Sequence, residues 1–439
     1  MICITVEGKE RYILELLSEI AGLPSGDWLT VEVRGGDGAI RWEGGRLVVG
    51  SELIASVWRA LMGLGDPKRP LVDAYARRFG EGVRQALEHN GLPYISLGKW
   101  PEGRPFALFP SHDVDQVHRR DLVVLARDLY RMGRDVLRGR FRSVASTVEE
   151  WTCRTDSYWN FEKWRRLEER LGVRSTFFFM EGPRWSRYGR RYNTWKLRSV
   201  LKELVEGGWE VGLHGSYYAF RDARRLWKER EALEDIIEVR VRGNRQHYLR
   251  LDPGRSFRCY EEAGFLYDAT LGYNNQVGYR AGISFPFRPY DPERGKAMDL
   301  VELPLGIQDV AVEREGVSEE DILRLAERVR EDGGMLSLLW HQSAFHRSPL
   351  YEAILRWAEG CGAWIATGRE IASWWRNRGR VKVRARWTPS HLRIWLSGAP
   401  RRLVLSVSLP GGKEEFLPAL PGRYRMEGGI VDIEEWKDV

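Results

Sequence analysis

Between Pro105 and about Arg378, short apolar runs bounded by turns alternate with amphipathic helical patterns, and nothing else in the chain limits its fold so tightly. The runs are Phe106–Pro110, Ser175–Met180, Trp209–Leu213, Val239–Gly243, Phe265–Thr270, Leu300–Leu305, Met335–Trp340 and Ala363–Ala366. Helical periods fall between them at Asp121–Leu137, Trp159–Arg170, Trp195–Glu206, Arg221–Ile237, Ser318–Arg330, Tyr351–Gly360 and Arg369–Asn377. Strands separated by a helical crossover lie parallel, with both faces of the sheet covered. Seven or eight such units predict an α/β fold, a distorted (β/α)7-8 barrel, with an open doubly wound sheet as the alternative.

The flanks read differently. Residues 1–104 combine strand-like runs (Ile2–Val6, Leu29–Val33, Arg46–Val49) with helical patterns at Glu52–Leu64 and Asp73–Glu88, which suggests a small α/β domain. Residues 105–378 form the barrel. Beyond them, in residues 379–439, Val381–Trp387, His391–Leu396, Leu403–Leu409 and Ile430–Ile433 alternate apolar and polar positions between Pro and Gly turns. That is the pattern of a small antiparallel β-domain, which either binds carbohydrate or covers one end of the barrel.

Composition excludes several classes. With 43% hydrophobic residues in 439, and 19 Trp, 17 Tyr and 15 Phe spread along the chain, neither disorder nor a coiled coil is expected. No apolar run approaches the ~18 residues that a transmembrane helix needs. The N-terminus, MICITVEGKERYILELL, places acidic residues where a signal peptide carries its apolar core, so a cytoplasmic protein is expected. Cys3, Cys153, Cys259 and Cys361 lie far apart and read as ordinary buried thiols. The net charge of +7 would suit an acidic partner, but acidic residues interleave nearly everywhere and no basic block appears. Nucleic acid is not expected.

The unusual residues fall where a parallel barrel concentrates its chemistry, just past the C-terminal ends of strands. The first strand runs into Ser111-His112-Asp113-Val114-Asp115. The third ends at His214, the fourth near Arg245-Gln246-His247, and the seventh at His341. Four of the eight histidines therefore sit at strand exits. Asp115, His214 and a third donor such as His247 would hold a divalent ion through mixed N and O ligands. Asp113 would act as general base, His341 would protonate the leaving group, and Arg245 would keep Asp113 ionised. Taken singly, each residue has a plainer reading: Asp after a strand is often a helix cap, and His214 a turn residue. His247 reads equally as a packed core residue. His112 reads as a supporting or core residue, while His118 and His346 belong to loop or helix faces and His89 and His391 lie outside the barrel.

At these residues the chain resembles the polysaccharide deacetylase (NodB-homology, carbohydrate esterase) superfamily over roughly residues 105–375. Ser111-His112-Asp113-Val114-Asp115 looks like the family's first motif, which implies Asp113 as base and Asp115 as metal ligand. Gly-Trp-Glu-Val-Gly-Leu-His214 is similar to the motif that supplies metal-binding histidine. Arg245-Gln246-His247-Tyr248 stands in the place of the motif whose Arg orients the base, and Leu338-Leu339-Trp340-His341 resembles the one carrying the acid. The run Ser175–Phe179 looks like the family's second strand. One departure matters: the family's second metal histidine, four residues after the first, is here Tyr218. Either His247 completes the set, or another ligand or water does so with Tyr218 touching ion or substrate, or the metal site is weakened.

The resemblance implies a metal-dependent hydrolase, with zinc the expected ion, that removes an acyl group from an N-acylated carbohydrate or glycan intermediate. Cleavage of a cyclic amide and metal-free glycan binding are the competing readings, the last supported by Tyr218. Aromatic residues after the fifth strand suit a sugar ring, Arg280 suits an anionic group, and Asp309 is a further candidate for the barrel mouth.

Overall fold

The computed structural model describes residues 1–118, 122–141, 144–145, 148, 156, 158–182, 188 and 192–436. Cys153 and most of the Arg-, Tyr- and Trp-rich loop Glu181–Thr194 lie outside these residues, as does part of the connection 116–174.

The chain opens with a sheet of order β1-β2-β4-β3, built from β1 (Ile2–Ile4), β2 (Leu29–Arg34), β3 (Ile40–Glu43) and β4 (Arg46–Gly50). Helices Ser51–Leu61 and Leu71–His89 match the expected periods. A third helix, Gly8–Ala21, was not expected; it buries Tyr12, Ile13, Leu16, Leu17 and Ile20 and exposes Arg11 and Glu15 on the other side. It ends at Gly22, whose φ of 75° is the left-handed conformation that closes a helix C-terminus. Strand β5 (Tyr94–Leu97) then leaves this unit.

The barrel sheet follows: β6 (Ala107–Val114), β7 (Thr176–Phe179), β8 (Glu210–Gly215), β9 (Gly243–Gln246) and β10 (Tyr267–Asp268). A hairpin of β11 (Tyr290–Asp291) and β12 (Lys296–Ala297) intervenes before β13 (Val301–Glu302), β14 (Ile307–Gln308), β15 (Met335–Leu339) and β16 (Trp364–Ile365). Their order is β13-β10-β9-β8-β7-β6-β15-β14, with β16 beside the first half of β6, and every pairing is parallel. The sheet is strongly curled: Arg245 on β9 donates at 2.8 Å to Ser111 on β6, three strands away. Among the described residues no ladder joins β13 to β14, so the barrel is open there.

Two faces follow from the period of two along each strand. Phe106, Leu108, Val114, Phe177, Phe179, Leu336 and Leu338 belong to the core shared with the surrounding helices. Ala107, Phe109, Phe178, Tyr267 and Met335 belong to the core that continues into the N- and C-terminal units. The fourth strand lies at Gly243–Gln246 rather than Val239–Gly243. The apolar alternation of Val239 and Val241 misplaces it, because the true strand carries polar side chains on both faces, Arg245 on one and Asn244 and Gln246 on the other, all buried.

The last region adds β17 (Lys382–Thr388), β18 (His391–Ser397), β19 (Val404–Ser408), β20 (Glu414–Pro418), β21 (Gly422–Met426) and β22 (Gly429–Glu435). Most neighbours are antiparallel, but β18 and β22 run parallel. Strand β19 pairs with β20 on one side and with β5 on the other, so the two outer regions share a sheet.

These outer regions meet the barrel at the N-terminal ends of its strands, opposite the site described below. Trp100 donates to the carbonyl of Gly333 at 2.8 Å, and Lys99 to that of Asp332 at 2.6 Å, just ahead of β15. Asp73, on the helix Leu71–His89, accepts from the backbone N–H (3.0 Å) and hydroxyl (2.5 Å) of Ser284. Burial pushes this carboxyl up to about 8, against the donors of Ser284. A carboxyl raised in the folded state binds a proton that the unfolded chain releases near its ordinary pKa of 3.8. Its contribution is therefore complete below that value and is lost as pH rises through about 8. We expect Asp73→Asn, which cannot ionise, to flatten the fall in Tm between pH 5 and 8 (roughly the window between the two pKa values). Parallel thermal melts of both proteins check this, and identical slopes would refute it.

Candidate metal centre

Strand parity assembles the site. On β6, Phe109, Ser111 and Asp113 share one face, and Asp115 continues it just past the strand end. His112, between them, faces the opposite way into the helix layer. There its Nε2 lies 2.9 Å from Glu168 and its Nδ1 2.9 Å from the carbonyl of Trp340. Glu168, which the sequence did not single out, also accepts from Ser175, Trp209 and Tyr351. His112 is thus a packed supporting residue beneath the strand ends.

Asp113, His214 and Arg245 are buried together. His214 lies opposite Arg245 in the β8–β9 register, and its Nδ1 donates to the Arg245 carbonyl at 2.8 Å. That bond fixes the tautomer and turns Nε2 toward the carboxylates. Nε2 lies 3.1 Å from Asp115 Oδ1 and 3.7 Å from Asp113 Oδ2. His247, one residue past β9, brings Nε2 to 3.7 Å from the same Asp115 oxygen. Asp115, His214 and His247 can each offer one atom within 4.8 Å of the others.

The donor set fits a divalent cation. Asp115 Oδ1 is buried without a hydrogen-bond partner among the described residues, an arrangement that costs free energy unless something else satisfies it. Burial opposes the charge of Asp115, yet His247, His214 and His341 around it hold its carboxyl below the usual carboxylate range. Burial pushes His247 down to about 4, so its ring is neutral and its lone pair is available. One carboxylate and two imidazoles with room for a further ligand are a zinc-type set.

Two supports flank it. The Arg245 guanidinium donates to Asp113 Oδ1 at 3.0 Å and to Ser111 Oγ at 2.8 Å, while its Nε donates to the Ala269 carbonyl at 2.9 Å. On the other side, His341 Nδ1 donates to Asp309 Oδ1 at 2.7 Å, and Arg347 donates to Asp309 Oδ2 at 3.2 Å. Burial opposes the charge of His341, but Asp309 overcomes it, and the ring is pushed up to about 10. His341 Nε2 faces Asp115 Oδ2 at 3.6 Å. Asp309 opens the helix Asp309–Glu315 directly after β14, a two-residue strand too short for its own hydrophobic period to reveal.

A cavity of about 280 Å³ opens over the cluster, lined by Asp113, Asp115, His214, His247 and His341 and, further out, by Tyr248, Asn274, Gln308 and Arg314. Tyr218 is not part of this lining. It stands at the rim, 54% exposed, with its ring edge-on to Tyr217. Tyr248, with a left-handed φ of 61°, stands in the cavity wall instead. Arg280 is also displaced: it packs beside Gly63 of the N-terminal region, away from the cavity. The sequence reading places it at the mouth because it follows the fifth strand, but the loop there folds back onto the N-terminal helices. Of the remaining histidines, His118 stacks on Trp159, His346 is exposed, and His391 pairs with Asp432.

The metal assignment has a direct check. Protein purified without added metal or chelator is expected to carry about one equivalent of a divalent ion by elemental analysis. His214→Ala and His247→Ala should each lose it, with affinity lowered by about 100-fold or more, because each removes a ligand. Tyr218→Phe should retain it. Full occupancy in His247→Ala would remove that residue from the ligand set.

No protein-family model matches the chain, and no curated protein matches it. Among solved structures it is similar to a Mycobacterium smegmatis protein assigned to the polysaccharide deacetylases, at 19% identity and a TM-score of 0.41, over 62% of this chain and 91% of that one. It is also similar to Puue allantoinase, at 16% identity and a TM-score of 0.40, over 63% and 92% of the two chains. A third is the Bc1960 peptidoglycan N-acetylglucosamine deacetylase, at 13% identity and a TM-score of 0.33, over 63% and 90%. By its curled parallel sheet, and by the order in which Asp113-Val114-Asp115, His214, Arg245 and His341 leave their strands, the chain resembles the polysaccharide deacetylases of the NodB-homology superfamily.

Proposed function

We propose that the protein is a metal-dependent hydrolase of amide-type C–N bonds that removes an acyl group, acetyl in the simplest case, from an N-acylated carbohydrate. The observation that carries this reading is the meeting of a buried, unpartnered Asp115 oxygen with His214 and His247 between two differently supported proton-transfer groups. Asp115, His214 and His247 would hold the ion, with zinc favoured by the ligand types. When bound, such an ion polarises an acyl carbonyl and makes water more acidic.

The chain's own residues supply the rest. Asp113 has one oxygen, Oδ1, committed to Arg245 at 3.0 Å, which leaves Oδ2, the oxygen nearer His214, to take a proton from the attacking water. His341 is anchored through Nδ1 on Asp309, so Nε2 is the atom that delivers a proton to the departing amine. The two groups thus approach the amide with opposite duties, separated by opposite environments. Arg245 and Asp309 touch no substrate; they position the base and the acid.

Variant choice follows from burial. Removing Arg245 leaves the Asp113 charge buried and unpaired, which costs about 3–5 kcal/mol and confounds activity with folding. Asp113→Asn keeps shape and a hydrogen bond. We expect it to lower acetate release from N-acetylated mono- and oligosaccharides by about 10²–10⁴-fold, the usual loss on removing a general base, while circular dichroism and bound metal stay as in the parent. An unchanged rate would exclude Asp113 as the base. No acetate release from any N-acetyl sugar by the metal-replete parent would refute the deacetylase reading.

A further inference from the structure

The outer end of the cavity has a charge that the chemistry above does not use. Arg314 sits in the last turn of the helix Asp309–Glu315 and lines the cavity. One of its N–H groups donates to the backbone carbonyl of Asn274 at 2.9 Å, and the Asn274 side-chain amide donates to the Tyr248 carbonyl at 2.8 Å. The helix is thereby tied through the Asn274 loop to the turn carrying Tyr248, and the guanidinium is held in place at the cavity edge.

Its acidic neighbours are engaged elsewhere. Glu313 pairs with Arg347, and Glu315 pairs with Lys68 and accepts from the Val277 N–H at 2.7 Å. No ion pair joins Arg314 to a carboxylate among the described residues. A guanidinium has five N–H donors in a rigid fork, so most of those of Arg314 remain available, and they match the oxygens of a carboxylate or phosphate. The carboxylates in the cavity lining, Asp113 and Asp115, lie at the metal end, where Arg245, His214 and His247 engage them.

Resting on the hydrolase reading, we propose that the substrate is anionic: its N-acyl group enters at Asp115, His214 and His247, and a carboxylate or phosphate elsewhere on the same molecule is received by Arg314. This assigns to Arg314 the anion-binding role that the sequence suggested for Arg280. A neutral N-acetyl sugar would fill the metal end and leave the guanidinium unanswered.

The test uses the full-length, zinc-loaded protein and its Arg314→Gln variant, with binding measured by calorimetry alongside acetate release. The probes are N-acetylglucosamine, N-acetylglucosamine 6-phosphate and N-acetylmuramic acid, which present no anion, a phosphate and a carboxylate. We expect at least one anionic probe to bind the parent about tenfold or more tightly than the neutral sugar. In Arg314→Gln that ratio should fall to about one, and which probe shows the preference identifies the anion. Equal affinity of all three probes for the parent, no measurable binding of either anionic probe, or a preference that survives in Arg314→Gln would each overturn the proposal. Acetate release without charge preference would leave the hydrolase reading standing and this one refuted. An Arg314-dependent preference without acetate release would do the reverse.

Discussion

Arg245 is the group around which the site is built. Burying a guanidinium inside a barrel is costly, and Ser111 and Asp113 at Nη1 and the Ala269 carbonyl at Nε offset that cost, while Nη2 has no hydrogen-bond partner among the described residues. Its aliphatic and π surfaces are covered by Phe178, whose ring centroid lies 4.5 Å from the guanidinium carbon. The same residue uses its backbone carbonyl to orient His214. One buried cation therefore holds Asp113 through its side chain and His214 through its main chain, so the two cannot shift independently.

The second half of the site depends on a different kind of support. His341 and Asp309 follow the exits of β15 and β14, adjacent strands that bring the imidazole and its carboxylate side by side. Behind the sheet, His112 holds the Trp340 carbonyl, immediately before His341, through Nδ1 and meets Glu168 through Nε2. The polar groups on the two faces of the strand ends are thus connected through single residues of main chain. The outer regions contribute at the far end of the barrel, through Trp100, Lys99 and Asp73, where they close the core without reaching the chemistry.

Much of this was legible in residues alone. The alternation of runs and helices announced the parallel sheet, and the D-x-D spacing put Asp113 and Asp115 on one face because strands repeat every two residues. The position of the fourth strand was misread for a physical reason. Apolarity marks strands well where they face an apolar core, but Gly243–Gln246 buries polar side chains on both faces, so the apolar signal fell a few residues early. The two residues of β14 follow the run Leu300–Leu305 too closely to be read as a strand of their own, and Asp309 was accordingly only a minor candidate.

What the sequence determined by itself, then, was the class of fold and the identities of the groups at the strand exits, since both are local: period, spacing and residue chemistry. Only the tertiary structure decided which of those groups meet. It placed His247 beside Asp115 and His214 and left Tyr218 exposed, outside the cavity lining. It also turned Arg280 toward the N-terminal region and brought Arg314 to the cavity instead. The reason is the curl of the sheet. Residues from β6, β8, β9 and β15 converge across its concave face, and no spacing along a single chain encodes how far a sheet of nine strands will bend.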